Sequence, residues 1–397
     1  MRSLLHNKHI IVICGSGGVG KTTLSSALAL MGAMEGKRSL VLTVDPARRL
    51  AQAMGLRKLD DRVRPISSSV FSRAGLCPAG SLSAVMLDTR RTFDRIIERT
   101  APSSTISARI MANPFYDHMA GFMAGSHEYM AMEKLLEFHQ SGEYELLVLD
   151  TPPTRHALDF LDAPKRMLDF LDDSVVRWFV KPSIVAGHFP LKILGKGVAL
   201  HLGALERFTG IQVLGDLAEF FGNFSSMHQG FKERAAQVRE LFVSDSTAFV
   251  LVTAPDHSNI AENRFFCQRL VEEGIPLSCV VFNRVRVIDK YPEACGENPG
   301  VEELYDFLAH NSAHTTPDIK NFRALIEKLR ENYTRYCRLA EIDSSTIQAL
   351  QQQLPAQLPT VLIPLFEEHV HNLQTLYRLG KYLVNDSADH NAIEAAQ

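Results

Sequence analysis

The chain has 397 residues, 46% of them hydrophobic, which is enough for one large core or two medium ones. Its 42 basic and 45 acidic side chains leave a formal net charge of -3, so no overall charge favours nucleic acid or an anionic membrane surface as the main partner. Six scattered cysteines without a CxxC argue against a disulfide framework or thiolate metal site and fit a reduced, cytoplasmic compartment, and the lack of any uncharged apolar run of about 18 residues argues against an integral membrane span.

The opening stretch, MRSLLHNKHIIVICG, reads as a strand entering a glycine loop, because its apolar run is short and no small-residue cleavage site follows. Runs rich in β-branched residues predict strands over 8–14, 38–44, 82–87, 144–150, 247–253, 277–283 and 358–363. These runs are continuous rather than alternating, as strands covered on both faces must be. Helical patterns such as TTLSSALALMGAMEG and AENRFFCQRLVEEG lie between them, so the expected class is α/β, a mostly parallel sheet wound with helices. Two intervals, 89–140 and 155–243, are helical in pattern and rich in Met, Phe and Leu, and they hold the single tryptophan, Trp178. They read as a helical subdomain inserted into one domain spanning 1–384. A mobile loop is expected at 285–317, helices at 318–339 and 367–384, and a polar tail over 385–397.

The motif that carries chemistry is CGSGGVGKTT. Gly15, Ser16, Gly17, Gly18, Val19, Gly20, Lys21 and Thr22 satisfy GxxxxGK[ST], after a predicted strand and at the start of a predicted helix, with Thr23 next in the helix. The glycines let backbone N–H groups turn inward around phosphate oxygens, and the helix N-terminus adds its positive end. Lys21 then reaches the β- and γ-phosphates of ATP or ADP, and the Thr22 hydroxyl ligates Mg²⁺. Two aspartates close later strands, where α/β sheets place their ligands: Asp45 after the second predicted strand and Asp150 after the fourth. Opposite a P-loop, such a carboxylate orients water or the metal; the blander reading of either one is a helix cap.

Beyond the motif, CGSGGVGKTT, TVDPARRLAQAMG and VLDTPPTRHALDFLDAP resemble the P-loop, first switch and second switch of the ArsA family of deviant P-loop ATPases. That family includes the arsenite-pump ATPase and the ATPase that delivers tail-anchored membrane proteins. AGSHEYMAMEKL, VFNR and IPLF extend the similarity over most of the chain, which looks most like the bacterial branch similar to the eukaryotic targeting ATPase. The resemblance implies a dimer that closes on ATP and reopens after hydrolysis. It implies that Asp45 polarises the attacking water and helps hold the metal, that Asp150 senses metal and γ-phosphate, and that Asn283, with Pro364 and Phe366, contacts adenine.

Ser16 departs from that pattern. In relatives a lysine here reaches the partner's phosphates across the dimer, in the manner of an arginine finger supplied in trans. A serine has neither the charge nor the length. A paralogue that keeps the lysine, in a heterodimer, would restore it; so would Arg48, Arg49 or Arg155 acting in cis. The cysteine cluster that arsenite capture needs is missing, as is a zinc-bridging CxxC. A chaperone or targeting switch with a hydrophobic protein client therefore fits better than an ion pump. The client groove would be lined by the apolar run from Ile184 to Leu205 and by Met111, Met119, Met123, Met130 and Met132, residue types that also simply fill cores. Two rival readings are a ParA/MinD-like spatial organiser, whose hallmark would be a basic surface or basic C-terminal helix where the tail here is acidic and polar, and a regulatory subunit with little ATPase activity of its own.

Overall fold

The computed structural model describes residues 1–44, 48–114, 116, 127–152, 220, 223, 226–256, 260–275, 277–288, 300, 302, 305–306, 318–355, 358–368 and 370–384. Eight strands form one sheet: β1 (Ile10–Cys14), β2 (Arg38–Thr43), β3 (Arg64–Pro65), β4 (Ser81–Met86), β5 (Leu146–Asp150), β6 (Thr247–Thr253), β7 (Leu277–Val285) and β8 (Thr360–Pro364). Their order across the sheet is β3-β4-β2-β5-β1-β6-β7-β8, and every pairing is parallel except β3 with β4. All seven expected strands are present within a few residues. The two-residue antiparallel β3 was not foreseen, since Arg64 and Pro65 carry no strand pattern of their own and pair only through Ala84 and Ser83.

Side chains of the central strands alternate between two cores. Ile10, Val12 and Cys14 enter one, while Ile11 and Ile13 enter the other. On the second side lies α2 (Lys21–Met34), buried almost all round. Its small residues allow this: a Cβ on Gly32 would stand 2.4 Å from Leu146 and 2.7 Å from the Ser39 hydroxyl, so the helix rests directly on β5 and β2. The C-terminal helix α11 (Leu373–Val384) covers the outer side of α2, with Leu376, Leu379 and Leu383 buried and Gly380 set against Met31. A helix apolar on every face is stable only when covered in this way.

The opposite side carries α5 (Thr89–Thr100), α6 (Ser104–Ala112), α7 (His127–Ser141) and α8 (His228–Val243). Asp88 caps α5 by accepting from the Arg91 N–H at 2.9 Å, and Phe93, Ile96 and Ile97 form its buried stripe. Met130 and Met132 of α7 are core residues, 0% and 2% exposed, and Met111 packs against the same cluster. Met119, Met123, Trp178 and the run from Ile184 to Leu205 lie outside the described residues, as do most of 155–243 and 289–317 and all of the 385–397 tail.

Three boundaries move. Residues Arg2–Asn7 are a short helix, α1, so the strand starts only at Ile10. The helix expected over 318–339 runs on as α10 (Ile319–Gln351), because Ala340, Ile347 and Leu350 continue the buried face. The last helix begins at Leu373, where Asn372 accepts from the Thr375 N–H at 2.8 Å and holds its first turn. Helices α3 (Arg48–Ala53), α4 (Ser68–Arg73) and α9 (Ile260–Glu272) complete the described elements.

Candidate functional site

The first strand sits where the strand order reverses: β5 and β2 lie on one side, β6 and β7 on the other. The carboxyl ends at such a point open a crevice for ligands. Into it runs the loop from Gly15 to Gly20, between β1 and α2. Two of its glycines are obligatory. Gly15 has φ 146°, and a Cβ there would lie 2.1 Å from the Val252 carbonyl oxygen at the end of β6; Gly20 has φ 100°, and a Cβ would meet the Asn283 amide at 2.4 Å. We therefore expect Gly15→Ala to weaken ADP binding by about tenfold or more and to lower the melting temperature, read by titration calorimetry and thermal denaturation.

Lys21 is 7% exposed, and its Nζ donates to the carbonyls of Gly15 and Ser16, both at 2.9 Å. The ammonium is thereby folded back over the loop that the motif assigns to phosphate. Ser16 Oγ is shielded from solvent and has no hydrogen-bond partner among the described residues. An orphaned hydroxyl beside a lysine, in a loop where Gly15 and Gly20 leave no room for a Cβ, is a fit for a phosphate-bearing ligand. Thr22 and Thr23 occupy the first turn of α2, and the Thr22 carbonyl accepts from Ser26 Oγ at 2.6 Å.

Asp150 ends β5 beside β1 and is 2% exposed. Its Oδ2 accepts from Thr43 Oγ1 at 2.9 Å, and its Oδ1 from Ser25 Oγ at 3.5 Å. Ser25 Oγ also stands 2.8 Å from the Lys21 carbonyl, so β5, β2 and α2 converge on this one carboxylate. No motif singles out Thr43 or Ser25, since each reaches Asp150 only through the order of strands in the sheet. Asp45 lies two residues beyond Thr43 and outside the described residues, together with Arg155 and the side chains of Arg48 and Arg49. Thr22 and Asp150 are oxygen donors of the kind Mg²⁺ takes. No cluster of three His, Cys, Asp or Glu occurs among the described residues, and a P-loop magnesium needs none, since substrate phosphates and waters complete its shell.

The remaining predicted contacts lie on the β6–β8 side. Asn283, at the end of β7, is 6% exposed and donates to the Val19 carbonyl at 2.7 Å. Pro364 ends β8 and pairs with Val285, while Phe366 packs edge-on against Tyr382 with ring centres 5.4 Å apart. Cys14 directly precedes the loop; burial pushes its thiol up to about 12, although Lys21 pulls the other way, so it stays protonated and is no nucleophile.

A glycine-clamped loop with a lysine over it, at the reversal point of a parallel sheet and next to a buried strand-end aspartate, defines a P-loop nucleotide hydrolase. The family model for anion-transporting ATPases of the ArsA type matches residues 8–298, and the chain belongs to that family; it is an ATPase. Among relatives, "ATPase ASNA1 homolog 1" of Paramecium tetraurelia is 24% identical over 308 residues, 77% of this chain and 84% of that protein. "ATPase get3" of Aspergillus terreus is 27% identical over 72% of this chain and 76% of its own length. "ATPase ASNA1 homolog" of Babesia bovis is 22% identical over 98% of this chain and 94% of its own length.

Proposed function

We propose that this chain is a dimeric, Mg-ATP-dependent switch that couples hydrolysis to opening and closing of its helical layer, and that its work is chaperoning or targeting a hydrophobic protein client in the cytoplasm. The convergence of β5, β2 and α2 on Asp150 supports this reading, because Thr43 joins β5 to β2 and Ser25 joins it to the helix that the phosphate loop enters. A change at the phosphates then moves the segment after Asp150, which leads toward 155–243.

Each residue has a task. Backbone N–H groups from Gly17 to Thr22 cradle phosphate oxygens. Lys21 leaves the Gly15 and Ser16 carbonyls for the phosphates. Thr22 and Asp45 hold the metal, and Asp45 orients and deprotonates the water. Mg²⁺, when bound, neutralises charge that develops on the transferred phosphoryl group. Asp150, kept in place by Thr43, reports whether the γ-phosphate is present.

Ser16 also supports a second reading, a regulatory subunit that holds nucleotide but turns it over only beside a lysine-bearing paralogue. One experiment separates the two: phosphate release by the wild-type chain and by Lys21→Ala, with molar mass measured in ADP and in ATP. The switch reading expects a mass that doubles in ATP and turnover that Lys21→Ala abolishes. Wild-type turnover no greater than that of Lys21→Ala, with a mass indifferent to nucleotide, would refute it.

A further inference from the structure

Asn283 spends its amide on the protein. Its Nδ2 donates to the Val19 carbonyl at 2.7 Å, and its Oδ1 accepts from the Arg284 N–H at 3.0 Å. The local backbone is bent to allow this. Arg284 is the one described non-glycine residue with positive φ, at 62°, and the register of β7 on β8 shifts between Phe282 and Val285 at the same place. Such a conformation persists only where surrounding contacts hold it. Here the next residues are pinned too: the Arg286 N–H donates to Asp343 of α10 at 2.9 Å, and its guanidinium to the same carboxylate at 3.0 Å.

On the loop side, Val19 stands between Gly18 and Gly20, with φ 79° and 100°, a stretch that nothing intrinsic holds to one orientation. A peptide plane is trans, so its carbonyl and its N–H point in opposite directions. Capturing the Val19 carbonyl on the β7 side aims the Gly20 N–H away from β7, toward the interior of the loop.

We propose that Asn283 is a positioning residue of the nucleotide site: it clamps the Val19 carbonyl and so presents the Gly20 N–H to phosphate, whatever base the phosphate carries. This rests on the reading of the loop as a phosphate cradle, and it gives Asn283 a role distinct from reading adenine. A base reader matters only to ligands with that base. A clamp matters to all phosphate chains.

The test is titration calorimetry of the full chain, wild type and Asn283→Ala, with ADP, GDP and inorganic tripolyphosphate, each with Mg²⁺ and well below the melting temperature. The expected result is a loss of about tenfold for all three ligands, the worth of one buried hydrogen bond. Loss confined to ADP with tripolyphosphate unchanged makes Asn283 a base reader and overturns the proposal, as does unchanged binding of all three. A merely structural role would lower the melting temperature and leave tripolyphosphate affinity intact. Should Asn283→Ala fail to fold, Asn283→Ser, whose hydroxyl is too short to reach Val19, is measured in its place with the same expectation. Failure of the wild type to bind any of the three refutes the phosphate cradle itself, an outcome separate from the others.

Discussion

Ser16→Lys raises the steady-state ATPase rate of the isolated protein by about 10³-fold, measured as phosphate release, and Asp45→Asn removes the gain. The position explains the size. Ser16 sits in the phosphate loop, its carbonyl already accepts from Lys21 at 2.9 Å, and its hydroxyl is buried with no hydrogen-bond partner among the described residues. A serine there adds no charge to the developing transition state. A lysine can extend beyond the loop toward a second subunit, and a cation supplied in trans is worth about 10³–10⁵ in rate in enzymes that depend on one. Loop geometry is not at issue, since Ser16 is not among the residues with positive φ. If wild type turns over well and Ser16→Lys changes little, the missing lysine is irrelevant and Arg155→Ala becomes the informative variant. If wild type is slow and recovers on mixing with a lysine-bearing paralogue, the heterodimer explains both.

The sequence announced the centre of this site more clearly than its supports. Gly15 to Thr22 could be read directly because a strand, an eight-position motif with four specified residues and a helix must follow one another for the loop to form. Asp150 was legible from its place at the end of an apolar run. Its partners Thr43 and Ser25 were not, because they lie 107 and 125 residues away and meet it only through the order of strands in the sheet. Asn283 was found by resemblance, yet its bond to Val19 spans 264 residues and depends on a positive-φ arginine that no pattern announces. The same limit explains the short α1: Leu5 is buried under the sheet's second face, a tertiary contact that decides the conformation of six residues with little preference of their own.

Arg234→Met destabilises the fold by about 3–5 kcal/mol, measured by denaturant unfolding near neutral pH, although it lies outside the nucleotide site. Arg234 of α8 makes a charge-assisted hydrogen bond to Glu133 of α7, whose side chain is 3% exposed, and Tyr129 stands 3.5 Å from the second carboxylate oxygen. Removing the guanidinium leaves a carboxylate in a core of Tyr129, Met130, Phe231 and Ala235. Burial already pushes the Glu133 carboxyl above its ordinary range, and Arg234 is the main force pulling it back. Without Arg234 the folded-state value rises further above the unfolded one. A carboxyl raised in this way binds its proton more tightly in the folded state, so its stabilising contribution is complete below the unfolded pKa and is lost as pH climbs through the folded value. The penalty of Arg234→Met is therefore smallest in acid and grows toward neutrality, and Glu133→Gln in the same chain recovers much of it. A cost below about 1 kcal/mol, or one equal at acid and neutral pH, contradicts a buried ion pair. The pair also lies close in sequence to the site's strands, because α7 leads into β5 and α8 into β6, the two strands that flank β1. By tying those helices together, Glu133 and Arg234 join the elements that lead into both neighbours of β1.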